Sequence, residues 1–162
     1  MIHIRHASPL DTRAMAGLLN AIIRRGGATA ISGPVAPEIL SEWIANDGAR
    51  GAWHVAEDDH GALLGFQWIG PHRDLTPQAC DIATFTRIGQ TRLGVGSKLF
   101  DATQRAAHDL GYGWINAAIR ADNAGGLAYY QSRGFEPWGR REGIALTDGT
   151  RIEQVLMRRD LR

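Results

Sequence analysis

The sequence predicts an α+β, mixed three-layer α/β/α domain with a mostly antiparallel sheet of about seven strands and about four helices. Two observations carry that expectation. Apolar residues recur at helical spacing in segments set among strand-like ones, and most strand-like runs are joined by short turns that pair neighbours antiparallel.

The elements follow in order. Ile2 and Ile4 alternate with polar neighbours, as in a half-buried strand. Ser8 or Asp11 is placed to cap a helix running to Arg25, with Met15, Leu18, Leu19, Ile22 and Ile23 as its apolar stripe and Gly26-Gly27 as its stop. A second helix begins at Ala36-Pro37-Glu38, where the missing N–H of Pro37 costs little. Ile39, Leu40, Trp43 and Ile44 form its core side, and Asp47-Gly48 ends it. Residues 52–57 and 63–69 flank Asp58-Asp59-His60-Gly61 and read as a hairpin. Residues 80–88 are rich in β-branched and aromatic side chains and form the next strand. A helix covers 96–110, with Leu99, Ala102, Ala106 and Leu110 on one side and Gly111 beyond its end. A strand at 114–120, a short helix at 124–132 and a final hairpin of 135–145 with 151–158 complete the chain.

Composition narrows the function. A chain of 162 residues predicts a single domain over 1–162, long enough to bury a core without staples. A net charge of +1 argues against a nucleic-acid partner engaged through a basic face. The lone cysteine, Cys80, excludes an internal disulfide and a multi-cysteine metal site, and the six histidines show no metal-ligand spacing. No apolar run approaches the roughly 18 residues of a membrane span, and the N-terminus has no leader-like apolar region, so a cytoplasmic protein without membrane or metal is expected. Lys98 is the sole lysine, which leaves little scope for Schiff-base chemistry.

Two segments carry the chemistry. In Gln90-Thr91-Arg92-Leu93-Gly94-Val95-Gly96-Ser97 a glycine-containing turn enters a helix, where free N–H groups and the helix dipole suit a pyrophosphate. Gly94 and Gly96 are expected to let backbone approach the ligand, although Gly-x-Gly alone fits an ordinary helix entry equally well. Leu99 in the third glycine position excludes a dinucleotide fingerprint, and the Gly-Lys-Ser/Thr ending of a P-loop is absent. The second segment is Asn123-Ala-Gly-Gly126-Leu-Ala-Tyr129-Tyr130-Gln-Ser-Arg-Gly134-Phe135, which starts 27 residues after Gly96. Asn123 suits a helix cap, and Tyr130 reads either as a core tyrosine or as a site residue.

On these two segments, their spacing and the element order, the chain resembles the GNAT N-acetyltransferase superfamily over nearly its whole length. The family's Gln/Arg-x-x-Gly-x-Gly/Ala loop falls on Thr91 to Gly96, with Thr91 in the usual Gln/Arg position. Its Asn-x-x-Ala-x-x-x-Tyr-x-x-x-Gly-Phe segment falls on Asn123 to Phe135, with Gly126 for the alanine. The resemblance implies a GNAT fold, acetyl-coenzyme A as co-substrate and a small-molecule primary amine as acceptor, attacked directly in a ternary complex. It implies a pyrophosphate cradle of Thr91, Arg92, Leu93, Gly94, Val95, Gly96 and Ser97. Phe85 and Thr86 would pair with the pantetheine in a splayed V and offer backbone N–H groups to the oxyanion, Asn123 would lie near the pantetheine, and Tyr130 would protonate the departing thiolate.

Scattered positions (Ile4-Arg5-His6-Ala7, Asp11, Leu19-Asn20-Ala21, Thr29, Trp43-Ile44) resemble the phosphinothricin and methionine-sulfoximine branch, which acetylates amino acids. That branch's general base maps to Asp81, thirteen positions before Gly94, where a shorter carboxylate would work through a water. A solvated strand end is an equal reading of Asp81. Cys80 faces the opposite side of the strand, against an acetyl-cysteine route. His54 and His72 are candidate acceptor-site residues, and Arg73, Arg87 and Arg120 candidate carboxylate partners. Trp43, Trp53, Trp68, Phe66 and Phe85 are expected in the core, with an acceptor pocket or a homodimer interface as alternatives. A non-catalytic acyl-CoA sensor and a protein N-terminal acetyltransferase remain the competing functions.

Overall fold

The computed structural model describes residues 1–89 and 94–161. Seven strands, His3–His6 (β1), Ala52–Glu57 (β2), Leu63–Gly70 (β3), Ala79–Thr86 (β4), Trp114–Arg120 (β5), Glu136–Ala145 (β6) and Arg151–Asp160 (β7), form one sheet of order β1-β2-β3-β4-β5-β7-β6. The four α-helices among the described residues are Thr12–Arg25 (α1), Pro37–Asp47 (α2), Val95–Asp109 (α3) and Ala124–Ser132 (α4). This is the expected α+β architecture in the expected order.

Strand alternation sorts the two faces of the sheet. Val55, Phe66 and Phe85 pack under α1 and α2 with Met15, Leu19 and Leu40. Ile69, Ile82 and Ile115 face α3 and α4, together with Phe100, Ala107, Tyr130 and Phe135. Ser8 caps a short 3-10 turn, Pro9–Asp11, ahead of α1, with Leu10 N–H donating to Ser8 Oγ at 3.3 Å and Ser8 N–H to Asp11 Oδ2 at 2.7 Å, while Asp11, the N-cap of α1 itself, makes no side-chain capping bond to that helix. Arg5 forks onto Asp11 at 2.8 Å per bond and holds its carboxyl down at about 2, which ties β1 to the start of α1.

Three details depart from expectation. The strand expected over 80–88 ends at Thr86, opposite the last paired β3 residue Gly65. Ile39 is exposed, because only Leu40 of α2 is fully buried. The buried stripe of α3 is Val95, Leu99, Phe100, Thr103 and Ala107, rotated from the one built on Ala102 and Ala106.

The pairing of β4 with β5 differs in sense from the rest. These strands are parallel neighbours, registered only from Ala79–Trp114 to Ile82–Ala117, whereas every other pair is antiparallel. No helix among the described residues is long and apolar enough to cross a membrane.

Candidate active site

Beyond Ile82 and Ala117 the two parallel strands part, and a cleft of about 1110 Å³ opens between residues 83–86 and 118–120. Here the edge of β4 turned toward β5 has no strand partner, so it presents backbone donors and acceptors to whatever enters. Phe85 and Thr86 lie on this edge and line the cleft.

The N-terminus of α3 forms part of the cleft wall. Its N-cap, Gly94, has φ +97°, a conformation that L side chains rarely adopt, with open space where a Cβ would stand. Among the described residues no side chain caps this helix and its first turn holds no acidic residue, so helix geometry leaves the N–H groups of Val95, Gly96 and Ser97 without a helical acceptor, at the positive end of the dipole. That arrangement suits a phosphate or pyrophosphate. Arg133 adds charge beside it, donating from Nη1 to Ser97 Oγ at 2.8 Å. Thr91, Arg92 and Leu93, the rest of the expected cradle, lie outside the described residues, as does Gln90.

Gly96 is also required to be small by a neighbour within the fold. A Cβ there would sit 2.6 Å from Cε1 of Tyr129, so the glycine makes room for a ring from α4. The Tyr129 hydroxyl donates to the Gly96 carbonyl at 2.8 Å. A chain of hydrogen bonds starts at this contact. Since Tyr129 spends its proton on Gly96, its oxygen must accept, and it does so from Gln67 Nε2 at 3.0 Å. The same amide donates to Thr84 Oγ1 at 2.8 Å. Thr84 in turn shares a 2.8 Å bond with the Tyr130 hydroxyl. With its oxygen already accepting from Gln67, Thr84 can give its single proton to Tyr130, which leaves the phenol's own proton free to point into the cleft. Tyr130 is thus both a core tyrosine, 7% exposed, and part of the cleft wall. Burial raises its phenol well above the ordinary value, with the bond to Thr84 opposing.

Asp81 also lines the cleft and points to the opposite face of β4 from Thr84. It is not a solvated strand end. Its Oδ1 accepts from Asn116 Nδ2 at 3.0 Å, and Asn116 Oδ1 accepts from Trp138 Nε1 at 3.0 Å. Burial pushes the Asp81 carboxyl above its usual range, opposed by Asn116 and by the charges of His72 and Arg141. A carboxylate raised in this way is the stronger base.

Other expected residues divide. Asn123 lines the cleft but uses its amide to hold structure: Oδ1 accepts from Gly126 N–H at 3.0 Å and caps α4, while Nδ2 donates to Ala28 O at 3.4 Å. His72, Arg87 and Arg120 line the cleft and Arg73 does not. Arg87 donates to Leu63 O, and Arg120 is held by Asp122 and Thr29 O. His54 sits on the α3 face, outside the cleft, where burial and neighbouring charge push its imidazole down to about 4. Cys80 is fully buried and its thiol is pushed up to about 12, unsuited to nucleophilic work.

Sequence reasoning missed Gln67, Thr84, Tyr129, Asn116, Arg133 and Arg141. For Tyr129 a signal existed, since a second tyrosine one position before the motif tyrosine faces the helix entry from the same short helix.

Comparison with known proteins bears on the family and the fold. The sequence model of the Acetyltransferase (GNAT) family matches residues 23–135. A Bacillus subtilis protein provisionally named the phosphinothricin acetyltransferase YwnH is 29% identical over 98% of both chains. A crystal structure provisionally described as a phosphinothricin N-acetyltransferase superposes with a TM-score of 0.87 at 27% identity, covering 100% of this chain and 99% of the other. The Sinorhizobium meliloti phosphinothricin acetyltransferase, solved with acetyl-CoA, shares the fold with a TM-score of 0.88 at 20% identity over 99% and 88% of the two chains. Uncapped helix, parted strands and sequence match converge, and the chain belongs to the acetyltransferase (GNAT) family.

Proposed function

We propose that this acyltransferase moves an acetyl group from acetyl-CoA to the primary amine of a small amino acid or analogue, by direct attack within a ternary complex. The observation that carries the reading is the cleft itself. It brings an uncapped helix N-terminus, an unpaired strand edge, a phenol and a buried carboxylate to one cavity.

The residues present fit a thioester with a diphosphate at its far end. Free N–H groups of Val95, Gly96 and Ser97, with Arg133, would hold the diphosphate. The β4 edge at Phe85 and Thr86 would hold the pantetheine amides, with Asn123 lining the same passage. Bound there, acetyl-CoA supplies the activated acetyl group. Asp81, directly or through a water, takes the proton that makes the acceptor amine nucleophilic. For an amine of pKa about 10, deprotonation at pH 7 otherwise costs about 4 kcal/mol. Tyr130 donates its cleft-facing proton to the departing sulfur, and Thr84 turns the phenol to do so. Arg141 and His72, which face Asp81 electrostatically, suit the acceptor's carboxylate.

Names of the relatives support the amino-acid class. The test is thiol release from acetyl-CoA in the presence of amino acids, polyamines, aminoglycosides and peptides. Release with amino acids is expected. Release only with peptides would make the protein an N-terminal acetyltransferase, and acetyl-CoA binding without release on any amine would make it a sensor.

A further inference from the structure

A second, smaller cavity of about 270 Å³ lies on the Asp81 face of the sheet, between β2, β3, β4 and the helices α1 and α2. Three indoles and two phenyl rings, Trp43, Trp53, Trp68, Phe66 and Phe85, are among its walls. Strand register explains the wall. Trp53 faces Trp68 and Trp68 faces Ala83 across one row, while Val55, Phe66 and Phe85 form the next. The rings touch in sequence, Trp53 to Trp68 at 5.8 Å and Phe66 to Phe85 at 5.1 Å between centroids. The row that begins with two indoles ends on the methyl of Ala83, and the notch so left lies beside the cleft. Ile31, Ala83 and Phe85 are walls of both cavities.

Asp47 is the cavity's charged group, and its Oδ2 accepts from the indole N–H of both Trp53 (3.2 Å) and Trp68. The carboxylate therefore holds two wall rings in place instead of offering a free counter-charge to a ligand. At about 270 Å³ the cavity is below the roughly 300–1,000 Å³ of pockets that take a whole ligand, so it suits one substituent of a larger molecule. Asp81 and Ala83 project from the same face of β4 about 6.7 Å apart along the strand. An amine placed at Asp81 has the notch one side-chain step away.

We infer that this aromatic cavity receives the acceptor's side chain, and that the acceptor is an amine bearing an uncharged apolar side chain of leucine to phenylalanine size. The inference rests on the amino-acid acceptor reading above and adds the side-chain class to it.

Two measurements test it. Initial rates of thiol release are compared for glycine, L-alanine, L-leucine, L-phenylalanine, L-lysine and L-aspartate. Binding of the same amino acids to the protein with CoA is followed by calorimetry. Each buried carbon is worth about fourfold, so leucine should exceed alanine by at least tenfold in kcat/KM, with lysine and aspartate at or below alanine. Trp43→Ala should lower the leucine-to-glycine ratio by about tenfold. A flat series, or preference for a charged side chain, overturns the inference, and the wild-type series decides it even if Trp43→Ala fails to fold. Should no amine release thiol, the acetyltransfer reading fails separately. Calorimetry then still decides the cavity: leucine heat absent with glycine and reduced in Trp43→Ala supports it, and equal heats overturn it.

Discussion

Thr84→Val is the substitution that most directly probes how the cleft orients its proposed acid, Tyr130. Valine keeps the shape of threonine and removes one oxygen, which here makes two bonds of 2.8 Å, one accepted from Gln67 and one shared with Tyr130. Losing the partner that sets the Tyr130 proton costs about 1.4–2.7 kcal/mol, the range for buried hydroxyls left unsatisfied, or about 10- to 100-fold in kcat. Acetyl-CoA should bind within about twofold of wild type, because the groups proposed to hold the diphosphate and pantetheine are others. Thr84→Ser, which restores the hydroxyl, should recover most of the rate. The decisive assay is the double-mutant cycle in steady-state thiol release. In a Tyr130→Phe background, itself expected to be slowed about 10- to 10³-fold, Thr84→Val should cost little more. If Thr84→Val lowers kcat by the same factor with and without the phenol, the proton-orienting chain is wrong and Thr84 is only a packing residue.

Three further outcomes are expected from the structure. Asp81→Asn should reduce kcat/KM by about 10²–10⁴-fold and abolish an acidic limb that lies above the usual aspartate range, falling as pH drops through the raised pKa; a limb that survives the substitution assigns it to another group. His54 titrates at about 4 in the fold against about 6.5 unfolded, so the unfolded chain binds the extra proton between those values and stability falls as pH drops from about 6.5 to 4. Discounted for solvent screening, the loss is on the order of 1–2 kcal/mol in urea titrations, and His54→Gln should flatten it. Gly96→Ala sets a methyl 2.6 Å from the Tyr129 ring and should cost about 1–3 kcal/mol while weakening acetyl-CoA binding in calorimetry, whereas Gly94→Ala meets open space and pays only the left-handed backbone, about 1–2 kcal/mol.

What the sequence made legible was local. Helices α1 and α3 announce themselves by period, the β2–β3 hairpin by its turn, and Asn123 and Gly94 by the positions they take at helix ends, which neighbouring residues alone determine. The residues that escape a reading of the sequence act across the fold. Gln67 sits inside an apolar run that reads as core, and only the pairing of β3 with β4 sets it opposite Thr84. Alternation shows that Thr84 and Asp81 face opposite ways, but not that a tyrosine hydroxyl from α4 lies over the former. Arg141, ion-paired with Asp74, lends its charge to Asp81 from a strand at the far edge of the sheet, a placement no spacing encodes. The smallness of Gly96 is visible in the sequence while its neighbour is not, since a ligand and a ring demand the same missing methyl.

The short parallel ladder between β4 and β5 divides the molecule in a way that chain order makes simple. One block of four strands comes wholly from residues before the helix that starts at Val95, and the other block of three wholly from residues after it. Neither block borrows a strand from the other, and four registered positions join them edge to edge. The protein is therefore modular in its backbone wiring: two contiguous halves meet along a seam, and α3 crosses between them. In the proposed complex the pantetheine would lie in that seam, along the β4 edge that the two halves leave unpaired.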